Sequence, residues 1–149
     1  MTDVAFYQLT KPLDVVLPRL LEKALAAGHR VAVRAADAAL LKRLDEALWT
    51  YDAASFLPHA VDGEHAAQQP VLLTASQALP ANDATVLAIV DGVMPNTPAD
   101  FDRLLYLFDG DDSAALGAAR AEWRRLKSKD GPTASYWREN EAGRWEQAA

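Results

Sequence analysis

The stretch VAFYQLTKPLDVVLPRLLEKALAAGHRVAVRA, residues 4 to 35, decides the fold. Its two ends, VAFYQL at 4–9 and RVAVRA at 30–35, are short apolar, β-prone runs. Between them Asp14 reads as the N-cap of a helix, Pro18 falls near the first turn where a missing N–H costs least, and Gly28 stops it. Strand, helix, strand in this order is the unit from which parallel sheets are built.

Working outward, further strands are expected at VLLTA (71–75), TVLAIV (85–90) and RLLYLF (103–108). Several run continuously apolar rather than alternating, as strands do when helices cover both faces of a parallel sheet. A second helix is predicted from Ala38 to Thr50 behind Asp37 as N-cap, with Leu41, Leu44 and Leu48 inward and Lys42, Asp45 and Glu46 outward. The clearest helix runs from about Ser113 to Ser128 after the turn DGDDS (109–113), and Gly131-Pro132 marks its end. The tail TASYWRENEAGRWEQAA has β-prone residues around Ser135 to Trp137, enough for an edge strand, and its last residues are expected to be loosely ordered. The expectation for residues 1–149 is a single α/β domain: a mainly parallel twisted sheet of about five or six strands flanked by helices, Rossmann-like in topology but without a nucleotide-binding loop.

Half of the 149 residues are apolar and none is cysteine, so a sizeable core is available while disulfide and thiolate chemistry is excluded. The N-terminus MTDVAFYQLT has no basic segment leading into an apolar one, and no apolar run approaches the roughly 20 residues that span a bilayer. A soluble, cytoplasmic protein with no membrane partner is expected. The net charge of −6 argues against a surface devoted to DNA phosphates. That average hides an island: residues 120–129 carry five basic side chains and one acidic, against eight and sixteen in residues 1–119. On an acidic protein, such an island suits an acidic peptide better than a long polyanion.

Catalytic and cofactor chemistry find little support. The loop after the first strand, TKPLDVV, has no glycine, and none of the seven glycines forms a G-x-G pair, so no phosphate cradle is predicted. His59 and His65, with Asp62 and Glu64 between them, could supply metal ligands, but they read better as a polar loop. Asp109, Asp111 and Asp112 lack calcium-loop spacing and read better as helix caps. Asp91 ends a strand where α/β enzymes often keep a carboxylate, yet Asp91-Gly92 is also an ordinary turn pair. No catalytic residue, metal or cofactor is predicted.

The constellation that stands out lies in ALGAARAEWRRLKSK (115–129). Leu116, Ala119, Trp123 and Leu126 form an inward stripe, and Arg120, Arg124 and Lys127 form an adjacent basic face with Trp123 on the border. A cationic ridge beside an aromatic wall suits an acidic peptide ending in an apolar residue. Basic residues near a helix C-terminus are also favoured by the macrodipole on a plain solvated face, and Trp123 could equally be core.

The run LDEALWTYDAASFLPH (44–59) resembles the chi subunits of bacterial DNA polymerase III, matching at Leu44, Asp45, Leu48, Trp49, Ser55, Phe56, Pro58 and His59. Supporting matches are Phe6-Tyr7, the Gly28-x-Arg30-Val31 lead into the second strand, and Arg120, Trp123 and Arg124, with Trp where Tyr is familiar and Arg where Lys is familiar. The resemblance implies a subunit of a DNA-directed DNA polymerase holoenzyme with no intrinsic activity. It implies a place beside the clamp loader and binding to the acidic, phenylalanine-terminated tail of single-stranded DNA-binding protein in DNA replication. Arg120, Trp123, Arg124 and Lys127, together with Thr133 from the following segment, would hold the tail. A second, apolar surface with Phe56 and Trp49 would meet a psi subunit or a repair helicase, although Trp49 and Phe56 could instead be plain core. Little direct nucleic-acid binding is expected. The competing reading is a small nucleotide-dependent or hydrolytic α/β enzyme using Asp91.

Overall fold

The structure is a computed structural model that describes residues 2–50, 59–61, 66–76, 79–95, 98–127, 133–142 and 144–148. Along the chain come β1 (Asp3–Leu9), α1 (Leu13–Ala26), β2 (Val31–Arg34), α2 (Ala38–Thr50), β3 (His59–Val61), β4 (Val71–Thr74), β5 (Val86–Ile89), β6 (Arg103–Asp109), α3 (Ser113–Lys127), β7 (Thr133–Glu139) and β8 (Trp145–Gln147). The strands form one eight-stranded sheet in the order β3-β4-β2-β5-β6-β1-β7-β8. Every neighbouring pair is parallel except β7 and β8. This is the mainly parallel α/β sheet implied by the continuously apolar runs. It has two more strands than the upper expectation, the three-residue β3 and β8. Each is too short to carry a pattern of its own and takes its extended form from the neighbour it pairs with.

Every residue of β2, β4 and β5 is buried, so both faces of the middle of the sheet are covered. The pleat sends alternate residues to two separate cores. On one face Val31, Val33, Val71 and Leu105 pack against Leu17 and Leu21 of α1 and Leu41, Leu44 and Leu48 of α2. On the other face Phe6, Leu87, Leu104 and Tyr106 pack against Ala119 and Leu126 of α3. Among the described residues two helices thus cover one side and a single long helix the other. That leaves one flank of α3 open toward β7.

Helix boundaries follow local chemistry. Asp37 caps α2, its Oδ1 accepting the Ala39 N–H at 2.9 Å. Asp14, however, is not the cap of α1: the helix begins two residues earlier than such a cap implies, behind Pro12, whose carbonyl accepts from Val15 and Val16. Pro12 can supply that carbonyl but no side-chain cap, and Asp14, now in the first turn, faces α2 and pairs with Arg43 at 3.3 Å. Pro18 consequently lies past the first turn, buried on the core side. Gly28 does end the helix: at φ 89° it lets its own N–H reach Leu25 and the His29 N–H reach Ala24, a Schellman closure. The expected edge strand around Ser135 to Trp137 is β7, but it is not an edge, because β8 pairs along its outer side with Trp137 opposite Gln147 and Glu139 opposite Trp145. Trp145 meets the Tyr7 ring edge-on at 5.0 Å, so an apolar contact anchors the hairpin.

Two outcomes follow. Gly28→Ala forces a side chain into the positive-φ region and should cost about 1–2 kcal/mol of stability in urea denaturation. Tyr7, Tyr106 and Tyr136 all have their phenol pKa raised, chiefly by burial. A raised folded-state value means that the unfolded chain loses these protons first as pH climbs. Stability should therefore be full below the ordinary tyrosine value near pH 10 and fall as pH rises through the folded values, read as a shrinking urea midpoint.

Candidate functional site

Helix α3 starts behind Asp112, whose Oδ1 accepts the N–H groups of Ala114 and Ala115 at 3.0 and 3.2 Å, while Asp109 turns the preceding loop by accepting from Asp111 N at 2.9 Å. The acidic cluster thus caps the helix. Ala119 has no exposed surface, and this small side chain lets the helix settle close over β6, β1 and β7. The inward stripe then fixes the rest: with Ala119 and Leu126 on the sheet, Arg120, Arg124 and Lys127 emerge exposed along the flank facing β7.

Trp123 stands on the border, half-buried. Its indole meets Phe6 edge-on at 5.7 Å and Tyr136 edge-on at 5.8 Å, and Phe6 in turn lies 6.4 Å from Tyr136 in a stacked pair. The Lys127 ammonium sits 4.9 Å from the Trp123 ring centre, within cation–π range. Trp123 is therefore both a core contact and the wall of the basic flank. Arg125, on the far border, bonds Glu122 Oε2 through Nε and Nη2 at 2.9 and 2.7 Å, which neutralises it. Among the described residues no carboxylate pairs with Arg120 or Arg124 in this way. The unneutralised charge of α3 is on the β7 side.

Thr133 is exposed at the start of β7, and its N–H donates to the Thr2 carbonyl at 3.1 Å. It opens the strand that follows α3, but its side chain does not face that helix. The pleat places its side chain in the row of Ser135 and Trp137, while Ala134 and Tyr136 form the row under α3. Tyr136 is the residue that sequence reasoning passed over. Its hydroxyl donates to Gln8 Oε1 at 2.6 Å, and burial raises its pKa while the charges of Arg120 and Arg138 oppose that rise. Strict alternation from Ala134 would have found it.

The second predicted surface lies across the sheet. Trp49, near the end of α2, is 54% exposed, so it is a surface residue and not core. Its ring lies 4.7 Å from that of His59, which is buried with Nε2 3.1 Å from Asp45 Oδ1. Phe56 lies outside the described residues, as do Asp62, Glu64 and His65 of the possible metal loop. Among the described residues no group of three His, Asp or Glu side chains could hold a metal ion, and no helix is long and apolar enough to cross a membrane.

Asp91 has its carboxylate oxygens committed to backbone: Oδ2 accepts from Ala36 at 2.8 Å and Oδ1 from Val93 at 3.1 Å. It ties the loop after β2 to the turn after β5, with Gly92 at φ 80° completing that turn. A cavity of ≈ 650 Å³ opens at the carboxyl ends of β1 and β6, where Leu9, Leu40, Val90 and Leu107 meet Lys11 and Arg43. Asp91 is not among its lining residues, so the carboxylate and the cavity do not combine into one site.

Comparison with known proteins adds an independent observation. The sequence model of the family described as DNA polymerase III chi subunit, HolC, matches residues 1–133. The DNA polymerase III subunit chi of Pseudomonas aeruginosa is 31% identical over 137 residues, which covers 89% of this chain and 94% of that protein.

The packing of the two tryptophans separates wall from surface. Trp123→Ala removes a ring wedged against Phe6 and Tyr136 and should destabilise the fold by about 2–4 kcal/mol, whereas Trp49→Ala should cost roughly 1 kcal/mol or less. Urea denaturation of the two variants checks both.

Proposed function

This chain belongs to the chi subunit family of DNA polymerase III, an accessory role in DNA replication, and we propose that it works there as a non-catalytic adaptor holding the acidic C-terminal tail of single-stranded DNA-binding protein. The observation that supports this is the pairing of Trp123, wedged edge-on against Phe6 and Tyr136, with Arg120 and Arg124 on the same flank. A phenylalanine at the end of a peptide needs an aromatic wall, and carboxylates need guanidinium groups that are not already satisfied. Arg120 and Arg124 take the carboxylates, one of them the terminal carboxylate, while Trp123 walls the phenylalanine. Lys127, drawn over Trp123, adds charge at the C-terminal end of the ridge, while Thr133, with its side chain turned to the other face of β7, belongs to the site only through the start of that strand.

On this reading residues 1–149 act as one domain in the cytoplasm, linking the tail to the clamp-loader side of the holoenzyme. The exposed Trp49, with Phe56, serves as the apolar surface for a psi subunit or a repair helicase. The enzyme reading loses its main support because Asp91 is occupied in turn formation. Direct DNA binding is disfavoured by the net charge of −6.

The test is calorimetry with an acidic peptide ending in Ile-Pro-Phe. Micromolar binding is expected, with a loss of about 1–3 kcal/mol in Arg124→Ala or Arg120→Ala and a comparable loss when the final Phe is omitted. A wild-type protein that ignores the peptide overturns the proposal.

A further inference from the structure

The basic flank of α3 does not end at Arg120. The pleat of β7 that puts Ala134 and Tyr136 under the helix brings Arg138 out on the same face, two residues farther along, and exposed. In register Arg138 lies beside Gln8 of β1, the residue that accepts the Tyr136 hydroxyl. Arg120 from the helix and Arg138 from the sheet thus both act electrostatically on the Tyr136 phenol. A peptide running off the Trp123 wall past Arg120 meets Arg138 next.

Arg138 also has a neighbour of opposite sign. Across the β7–β8 hairpin it stands directly opposite Glu146, so the two side chains share a face with Cβ atoms about 5 Å apart. The Glu146 carboxylate is held by Asn140, whose Nδ2 donates to Oε1 at 2.9 Å. Asn140 is itself fixed by the hairpin turn, its Oδ1 accepting from Arg144 N at 2.9 Å and its N–H donating to the Arg144 carbonyl at 2.8 Å. A neutral amide orients the carboxylate without cancelling its charge. Glu139 does not compete for Arg138, because it points to the other face and pairs with Lys11 at 3.3 Å. The family match ends at residue 133, so both Arg138 and Glu146 belong to a segment beyond it.

We propose that Arg138 is a further cation of the acidic-tail site, receiving a carboxylate upstream of the terminal phenylalanine, and that Glu146 opposes it as an internal competitor which the incoming carboxylate displaces electrostatically. This rests on the tail-binding reading. It divides the site in two: Trp123, Arg120 and Arg124 read the end of the peptide, and Arg138 reads the length of its acidic run.

The experiment compares two peptides by calorimetry, both ending in Ile-Pro-Phe, one preceded by three aspartates and one by neutral residues. Wild type should prefer the acidic peptide, and added salt should shrink the preference. Arg138→Gln should cut that preference by about two- to fivefold, Arg138→Lys should retain most of it, and Glu146→Gln should widen it by about twofold, as expected for an exposed pair. The Glu146→Gln gain should vanish when Arg138→Gln is also present. A preference unchanged by Arg138→Gln, while Arg124→Ala still weakens binding, overturns this inference and leaves the tail reading standing. Failure of wild type to bind either peptide removes both. All these positions are exposed, and matched thermal melts confirm that each variant is folded.

Discussion

The contact of Phe6 with its three aromatic neighbours governs most of what this molecule presents to a partner. Phe6 has no exposed surface, lies 4.9 Å from Tyr106, stacks toward Tyr136 and receives the edge of Trp123. Because β1 sits between β6 and β7, this one ring touches both neighbouring strands and the helix above them. The helix can then roll only a little about its axis before Trp123 loses its seat, and that limits where Arg120 and Arg124 point. A cationic face built only from long flexible side chains would be diffuse; here its position is inherited from a rigid aromatic packing.

The parts of the fold legible in the sequence are those whose signal is carried by the segment itself. The α2 helix spans Ala38–Thr50 as its leucine spacing predicts, with Asp37 capping it. The runs at 71–75, 85–90 and 103–108 became β4, β5 and β6 within a residue or so, since a strand buried on both faces must be apolar throughout. What could not be read depends on partners elsewhere in the chain. β3 and β8 exist because β4 and β7 offer an unpaired edge. Asp14 looked like a cap because the sequence does not reveal that Pro12 already supplies the turn and that Arg43 waits on α2.

The candidate site divides along the same line. The stripe of α3 was visible in its spacing, and so was the basic flank, but the helix alone left open whether Trp123 was core or wall. Three-dimensional packing resolves it as both. Tyr136 and Arg138 were not legible, since their membership depends on which face of β7 lies under the helix, and a one-residue change of register would have turned both away. The two surfaces also gain meaning from the strand order. Trp49 and His59 sit by β3 at one end of the sheet, and the α3–β7 flank lies near the other, six strand spacings or about 30 Å away. If both surfaces bind as proposed, two partners of modest size can occupy them without touching.

Among the described residues the sheet ends on a strand of three residues at each side, β3 on one and β8 on the other. Each offers very few unpaired amides, too short a template for a foreign strand to zip onto. Chains of this kind can be crowded together in a large assembly without polymerising edge to edge. Association is thereby steered to side chains, which can be chosen for one partner, and away from main-chain groups, which accept any.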